Sequence, residues 1–170
     1  MSPCFMTAAK KKTSQPGSKS KSKIVSLDLT QRAPRSARVR LGGFAVLPRI
    51  LDKGRASLAG RNGEYNYNCP LDQHFFRFTG VDAAAMLKQL ALGKGDSAIL
   101  DWIHANSKTT LNPWQIEAWS AYHERRVPTD VESREFFHKY HQSVGPERED
   151  IATWFDVLDL DDFVSFGGQA

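Results

Sequence analysis

Arg49, Asp52, Lys53 and Arg55 crowd into seven consecutive positions of the chain. On a helix, Asp52 sits one turn from both Arg49 and Arg55, so its carboxylate can be held by guanidinium groups beside an ammonium. Such a cluster has two readings. It can bind an anion through its cations. Alternatively, it is a solvated helical face whose ion pairs contribute at most ~0.5 kcal/mol each. Tyr65 and Asp72, in the aromatic stretch that follows, complete the candidate ligand site of Arg49, Asp52, Lys53, Arg55, Tyr65 and Asp72. With Asp52 or Asp72 as acid or base, the same residues would serve a small enzyme acting on an anionic metabolite. A binding or interaction domain is the leading expectation, and the enzyme is its rival.

Other spacings are less specific. Cys69, Asp72 and His74 hold the residue types of a nucleophile relay, but a relay needs an oxyanion hole, and Cys69-Pro70 makes no strand-to-helix elbow. His138 and His141 lie three apart and could start a metal site, yet zinc takes three or four ligands. His123-Glu124 belongs to another helix. Asp156, Asp159, Asp161 and Asp162 suggest a calcium loop, but the central Gly and final Glu are missing. They read as an acidic helix end that contacts the basic first region, within the molecule or in a partner. Gly42-Gly43 before a helix lacks the rest of a phosphate-binding loop. No metal and no cofactor are expected.

Arg32, Arg35, Arg38 and Arg40 could grip phosphates, and Tyr65, Tyr67, Phe75, Phe76 and Phe78 could stack bases. No nucleic-acid-binding signature accompanies them. The partners that fit are an anionic ligand, an acidic protein, or nucleic acid held through the basic tail.

Charge is unevenly spread. Residues 1–64 hold 14 Lys and Arg against 3 Asp and Glu, whereas residues 65–170 hold 9 against 16. A basic pI therefore does not imply a basic fold surface. Lysines 10, 11, 12, 19, 21 and 23 alternate with Ser, Thr, Gly, Pro and Gln. Such a stretch buries too little apolar surface to offset its ordering entropy. The expected organisation is a disordered basic tail over 1–26, a helical domain over 27–166 and a short end over 167–170. Met6 is an alternative start that would remove Cys4, leaving Cys69 alone, as suits a reducing compartment. No apolar run reaches the ~18–20 residues that span a bilayer, and no secretory signal pattern opens the chain. A cytoplasmic location with no membrane contact follows as the expectation.

The elements that must position these residues read as helices. Phe44, Leu47, Leu51, Gly54 and Leu58 trace one helical stripe between Gly43 and Gly60, with Arg49, Asp52 and Lys53 on the opposite side. Pro48 opens or kinks that helix. Residues 64–69 alternate like a strand that has no partner, so they form an extended aromatic segment. Asp72, Asp82 and Asp96 are candidate helix caps. Asn112-Pro113 with Gln115, and Thr129 with Glu132, read as capping boxes. After Gly145-Pro146 a last helix turns Ile151, Trp154, Phe155 and Leu158 inward. The class is all-α: a compact single domain of about six short helices.

The order of these pieces resembles a bacterial family known as domain of unknown function 5069. The residues that carry the resemblance begin with Gly42-Gly43, followed by Arg49, Leu51, Asp52, Lys53 and Arg55. Asp72, Phe75, Phe76 and Phe78 continue it, with Gly80, Val81 and Asp82. Asp96 before Ile99, Leu100 and Trp102, and then Trp119, complete it. Pro48 departs from the pattern. The resemblance implies a small helical domain and implies no activity.

Overall fold

The computed structural model describes residues 24–169; residues 1–23, with the expected lysine tail and Cys4, lie outside the described residues. Seven helices follow one another: α1 (Leu47–Ala59), α2 (Pro70–Thr79), α3 (Ala83–Ala91), α4 (Asp96–Asn106), α5 (Pro113–Glu124), α6 (Val131–Val144) and α7 (Trp154–Ser165). No strand occurs among the described residues; the sole pairing is an isolated bridge between Leu41 and Phe44. The protein is therefore all-α. None of these helices is long and apolar enough to cross a membrane.

Pro48 falls in the first turn of α1, where a missing N–H costs nothing, so it opens the helix and does not kink it. Gly60 ends the helix in the left-handed conformation. Ahead of α1, residues 24–46 form an arm without helix, tied down by Leu29 N–H to Arg61 O at 2.8 Å and Val46 N–H to Ala37 O at 2.8 Å.

α1 is the central element, packing on α2 and α3, while α3 packs on α4 and α7 on both α5 and α6. Phe44, Ile50, Leu51, Phe75, Met86, Leu90, Ile99 and Ile103 form the core between them. Phe44 meets Phe75 edge to face at 5.4 Å, a geometry that ring quadrupoles favour. A Cβ on Gly54 would lie 2.6 Å from Leu90 Cδ1. That glycine is what lets α1 and α3 approach so closely.

Several boundaries differ from the sequence expectation. Cys69, not Asp72, is the N-cap of α2, and Gly95, not Asp96, is that of α4. In both cases the aspartate lies inside the first turn, and its carboxylate turns to a cation elsewhere in the fold. The capping box of α6 is Asp130 with Ser133, one residue beyond Thr129 and Glu132. Ile151, expected on the inward face of the last helix, precedes the N-cap Thr153, so α7 begins at Trp154 and the acidic residue in its first turn is Asp156. Asp82 and the Asn112–Gln115 box cap α3 and α5 as their sequences suggest. Residues 61–69 form turns held by Tyr65 N–H to Asn62 O and by the Asn62 amide to Tyr65 O.

Candidate functional site

Arg49, Asp52 and Lys53 are buried residues, with exposures of 4%, 5% and 1%, and Asp72 is at 0%. The expected solvent-facing side of α1 is covered because the arm packs over one flank, α2 and the turns before it over another, and α7 closes the third. A buried charge needs a partner. Here each partner comes from a different element.

Asp52 takes its cation from the arm. It accepts from Arg35 backbone N–H at 3.0 Å, Nε at 2.9 Å and Nη2 at 2.8 Å. Pairing with Arg49 or Arg55 along the helix, as spacing suggested, does not occur, because both arginines are drawn to other carboxylates. Arg55 Nη1 donates to Asp96 at 2.6 Å, and Arg35 Nη1 donates to the other oxygen of Asp96 at 2.7 Å. Burial opposes the charge on Asp96, but bonds from Arg35 and Arg55 outweigh it and hold the carboxyl below its usual range.

Arg49 makes a two-pronged pair with Asp162 of α7, at 2.5 Å and 3.1 Å. Tyr65 donates its hydroxyl to the same aspartate at 2.8 Å, and the Arg49 guanidinium lies 5.4 Å from the Tyr65 ring centre. Burial works against the Arg49 charge, yet Asp162 more than compensates and raises its pKa. Burial, with Asp162 close by, also pushes the Tyr65 phenol up.

Lys53 donates to Asp72 Oδ1 at 2.7 Å and lies 3.3 Å from Cys69 Sγ. The second oxygen of Asp72 reaches back to Asn68 N–H at 2.9 Å. Burial holds the Lys53 pKa below that of a free lysine, with Asp72 opposing the shift.

The six candidate residues thus share one region but do not converge on one empty point. They divide into three internal pairings, and each uses a carboxylate or cation that lies outside the cluster or far along the chain. Arg35, Asp96 and Asp162 are the members that sequence reasoning left out of the site. The signal for Asp162 was the acidic run on the last helix. That run does contact the basic first region within the molecule: Arg38 pairs with Asp156 and Asp159, and Arg49 pairs with Asp162.

The other sequence candidates separate as well. Asp72 serves Lys53, whereas His74 faces Arg126, so Cys69, Asp72 and His74 form no relay. No cysteine among the described residues is free. Cys69 is the N-cap of α2, and its sulfur lies beside the Lys53 ammonium. His138 is exposed, His141 is half-buried on α6, Glu124 pairs with Arg40 and His123 packs on Trp119. Among the described residues no three of His, Cys, Asp and Glu converge. Of the basic lead-in, Arg35, Arg38 and Arg40 are each paired with carboxylates. Tyr65, Phe75 and Phe76 are core and Tyr67 and Phe78 pack against it, so they offer no open stacking platform.

Gly42 and Gly43 have φ of 58° and 84° and form the tight turn between Leu41 and Phe44. Ser120 of α5 pins that turn, donating to Gly43 O at 2.8 Å and accepting from Ala45 N–H at 2.9 Å. The glycines serve the turn, where a Cβ on Gly42 would strike the Leu100 side chain at 2.6 Å.

A different feature faces solvent. Trp114 and Tyr122 of α5 are 68% and 62% exposed. With exposed Ala118 between them they follow i, i+4, i+8 spacing, so they share one face of the helix. The opposite face carries buried Ile116, Ser120 and His123.

Comparison with curated proteins finds no match. The family model described as domain of unknown function 5069 matches residues 31–164, most of the chain, from the arm that supplies Arg35 to the helix that supplies Asp162. This chain belongs to that family.

Proposed function

We propose that this is a binding domain and not an enzyme, and that it takes an acidic segment of a protein partner on the outer face of α5. The observation that carries this reading is the exposure of Trp114 and Tyr122 on one helical face. Tryptophan, tyrosine and arginine are the residue types that dominate interface energetics, and Arg125 lies at the end of the same helix. Charge complementarity sets the partner's sign. Arg77, Arg125 and Arg126, all near the C-terminal half of α5 or on the helix packed beneath it, have no carboxylate within 4.0 Å among the described residues.

Arg49, Asp52, Lys53, Arg55, Tyr65 and Asp72 have a different part in this reading. They are an internal frame that fixes the arm, α2, α4 and α7 around α1. A catalytic Asp52 or Asp72 would need a path for substrate and protons, and both carboxylates are buried and already bonded. This favours binding over acid–base chemistry.

The test is fluorescence anisotropy with a labelled acidic peptide bearing leucines at i, i+4 spacing, a basic peptide of the same length and a single-stranded oligonucleotide. The acidic peptide should bind. Trp114→Ala should weaken it by about tenfold or more, the range of an interface anchor. Equal affinity in Trp114→Ala and Tyr122→Ala, or binding of the oligonucleotide alone, would refute the surface and its sign.

A further inference from the structure

Arg126 follows α5 and is held in place by its backbone, whose carbonyl accepts from Trp154 N–H at 3.1 Å. Its guanidinium Nη1 lies 2.9 Å from His74 Nε2. A guanidinium only donates, so His74 must accept there, which makes the imidazole neutral with its proton on Nδ1. The His74 and His123 rings are 5.0 Å apart, and His123 rests on Trp119 at 4.4 Å. Arg77 lies one turn further along α2. The charged groups that bear on His74 are Arg126, from the connection after α5, and Arg77 of α2; those that bear on His123 are His74 and Arg126. All are cationic or become so on protonation. No ion pair among the described residues involves any of these four side chains.

Arg35, Arg38, Arg40, Arg49, Arg55 and Arg148 each meet a carboxylate, whereas Arg126 meets an imidazole. A helix C-terminus does attract cations through its dipole. That role is filled by Arg125, whose Nε donates to Ala121 O at 3.1 Å. Arg126 instead spends one of five donors on a neutral nitrogen and is only half covered.

We infer that Arg126, His74 and Arg77 form an oxyanion subsite, for a phosphate or carboxylate group, and that occupancy is coupled to proton uptake by His74. The anion replaces His74 Nε2 as the acceptor of Arg126. The released nitrogen then takes a proton from solvent and donates to the anion, so the imidazole changes from acceptor to donor. His123 buttresses the ring from beneath without touching the ligand. The subsite stands on its own geometry. It rests on the proposed partner surface only for the idea that the oxyanion belongs to an acidic protein segment.

The experiment is a titration of the whole chain with inorganic phosphate, and separately with acetate, near pH 6.5. It is followed by the ring resonances of His74 and by calorimetry in two buffers of different ionisation enthalpy. Saturable binding with net proton uptake is expected. Arg126→Gln should lose about tenfold or more in affinity, as for a hydrogen bond to a charged group, and Arg126→Lys should retain part of it. His74→Gln should still bind but without buffer-dependent proton uptake, a readout that a merely structural role would not move. Absence of saturable binding by either anion, or equal affinity in Arg126→Gln, overturns the subsite. Phosphate binding together with failure of the acidic peptide would leave the subsite standing and reassign its ligand to a free or nucleotide-borne phosphate. Peptide binding without phosphate or acetate binding would leave the α5 surface standing alone.

Discussion

Replacing Asp72 by Asn tests the internal frame at its most buried point. Lys53 and Asp72 are 1% and 0% exposed and 2.7 Å apart. An amide at position 72 keeps the shape and can still accept from Asn68 N–H, but it takes away the counter-charge that Asp72 gives the Lys53 ammonium. Removing one partner of a buried pair costs ~3–5 kcal/mol, because the remaining charge is uncompensated. A domain of this size has ~5–15 kcal/mol in total. With a urea dependence of ~1–3 kcal/mol per molar, the midpoint should fall by one to a few molar. The pH dependence adds a second signature. Burial already holds Lys53 below its ordinary value of 10.5 in the folded chain. Between the folded and unfolded values the unfolded chain binds more protons, so stability rises with pH toward 10.5, and the penalty is complete below the folded value. Loss of Asp72 removes the group that opposes this shift, so the rising window should widen toward neutral pH. Paired replacement, Lys53→Met with Asp72→Leu, should recover most of the loss, because well-packed apolar residues are often neutral or stabilising at such sites. A single-variant midpoint equal to the parent's, with no steeper rise toward alkaline pH, would show that Lys53 reaches water and that the frame is not what holds α2 to α1.

Asp52→Asn should cost ~1.5–3 kcal/mol, the range for hydrogen bonds to a charged group. That is less than a fully buried pair because Arg35 is one-third exposed and keeps Asp96; a denaturant midpoint within the ~0.5 kcal/mol typical of surface changes would refute the pairing. Gly54→Ala should lower the melting temperature even though alanine improves helix propensity by ~0.5–1 kcal/mol. The new Cβ meets Leu90 at 2.6 Å and Tyr67 at 3.1 Å, and overpacking costs ~1–3 kcal/mol. Burial, aided by His74 and Arg126, pushes His123 down to about 4. The folded chain thus stays neutral there while the unfolded chain gains a proton below 6.5, so stability is lost as pH falls from 6.5 toward 4. A His123→Gln variant should lose much of that slope in urea midpoints measured from pH 7 to pH 5, and an unchanged slope would place the titration elsewhere.

The helical class was legible from residue pattern alone, for local reasons. Pro48, Gly60, Gly80, Asp82, Asn112 and Gln115 act on their own or adjacent turns, so their effects do not depend on the rest of the fold. The core positions Ile50, Leu51, Met86, Leu90, Ile99 and Ile103 likewise follow from helical period. The concentration of Arg49, Asp52, Lys53 and Arg55 on one helix was equally visible, as was the acidic run of the last helix. What the sequence could not supply was pairing. Asp52 is three residues from Arg49 and Arg55 but bonds Arg35, 17 positions away, and Arg49 bonds Asp162, 113 positions away. The same side chains could have formed weak pairs along an exposed helix. Only the packing of the arm, α2 and α7 around α1 removed them from water, and desolvation makes the choice of partner decisive. Asp72 and Asp96 looked like caps for the same reason: a cap is a local solution, and each was overridden by a cation that tertiary structure brought within 2.7 Å. The exposure of Trp114 and the meeting of His74 with Arg126 across 52 positions are also decisions of the fold. Helical period marks which residues share a face, but not which face another element will cover.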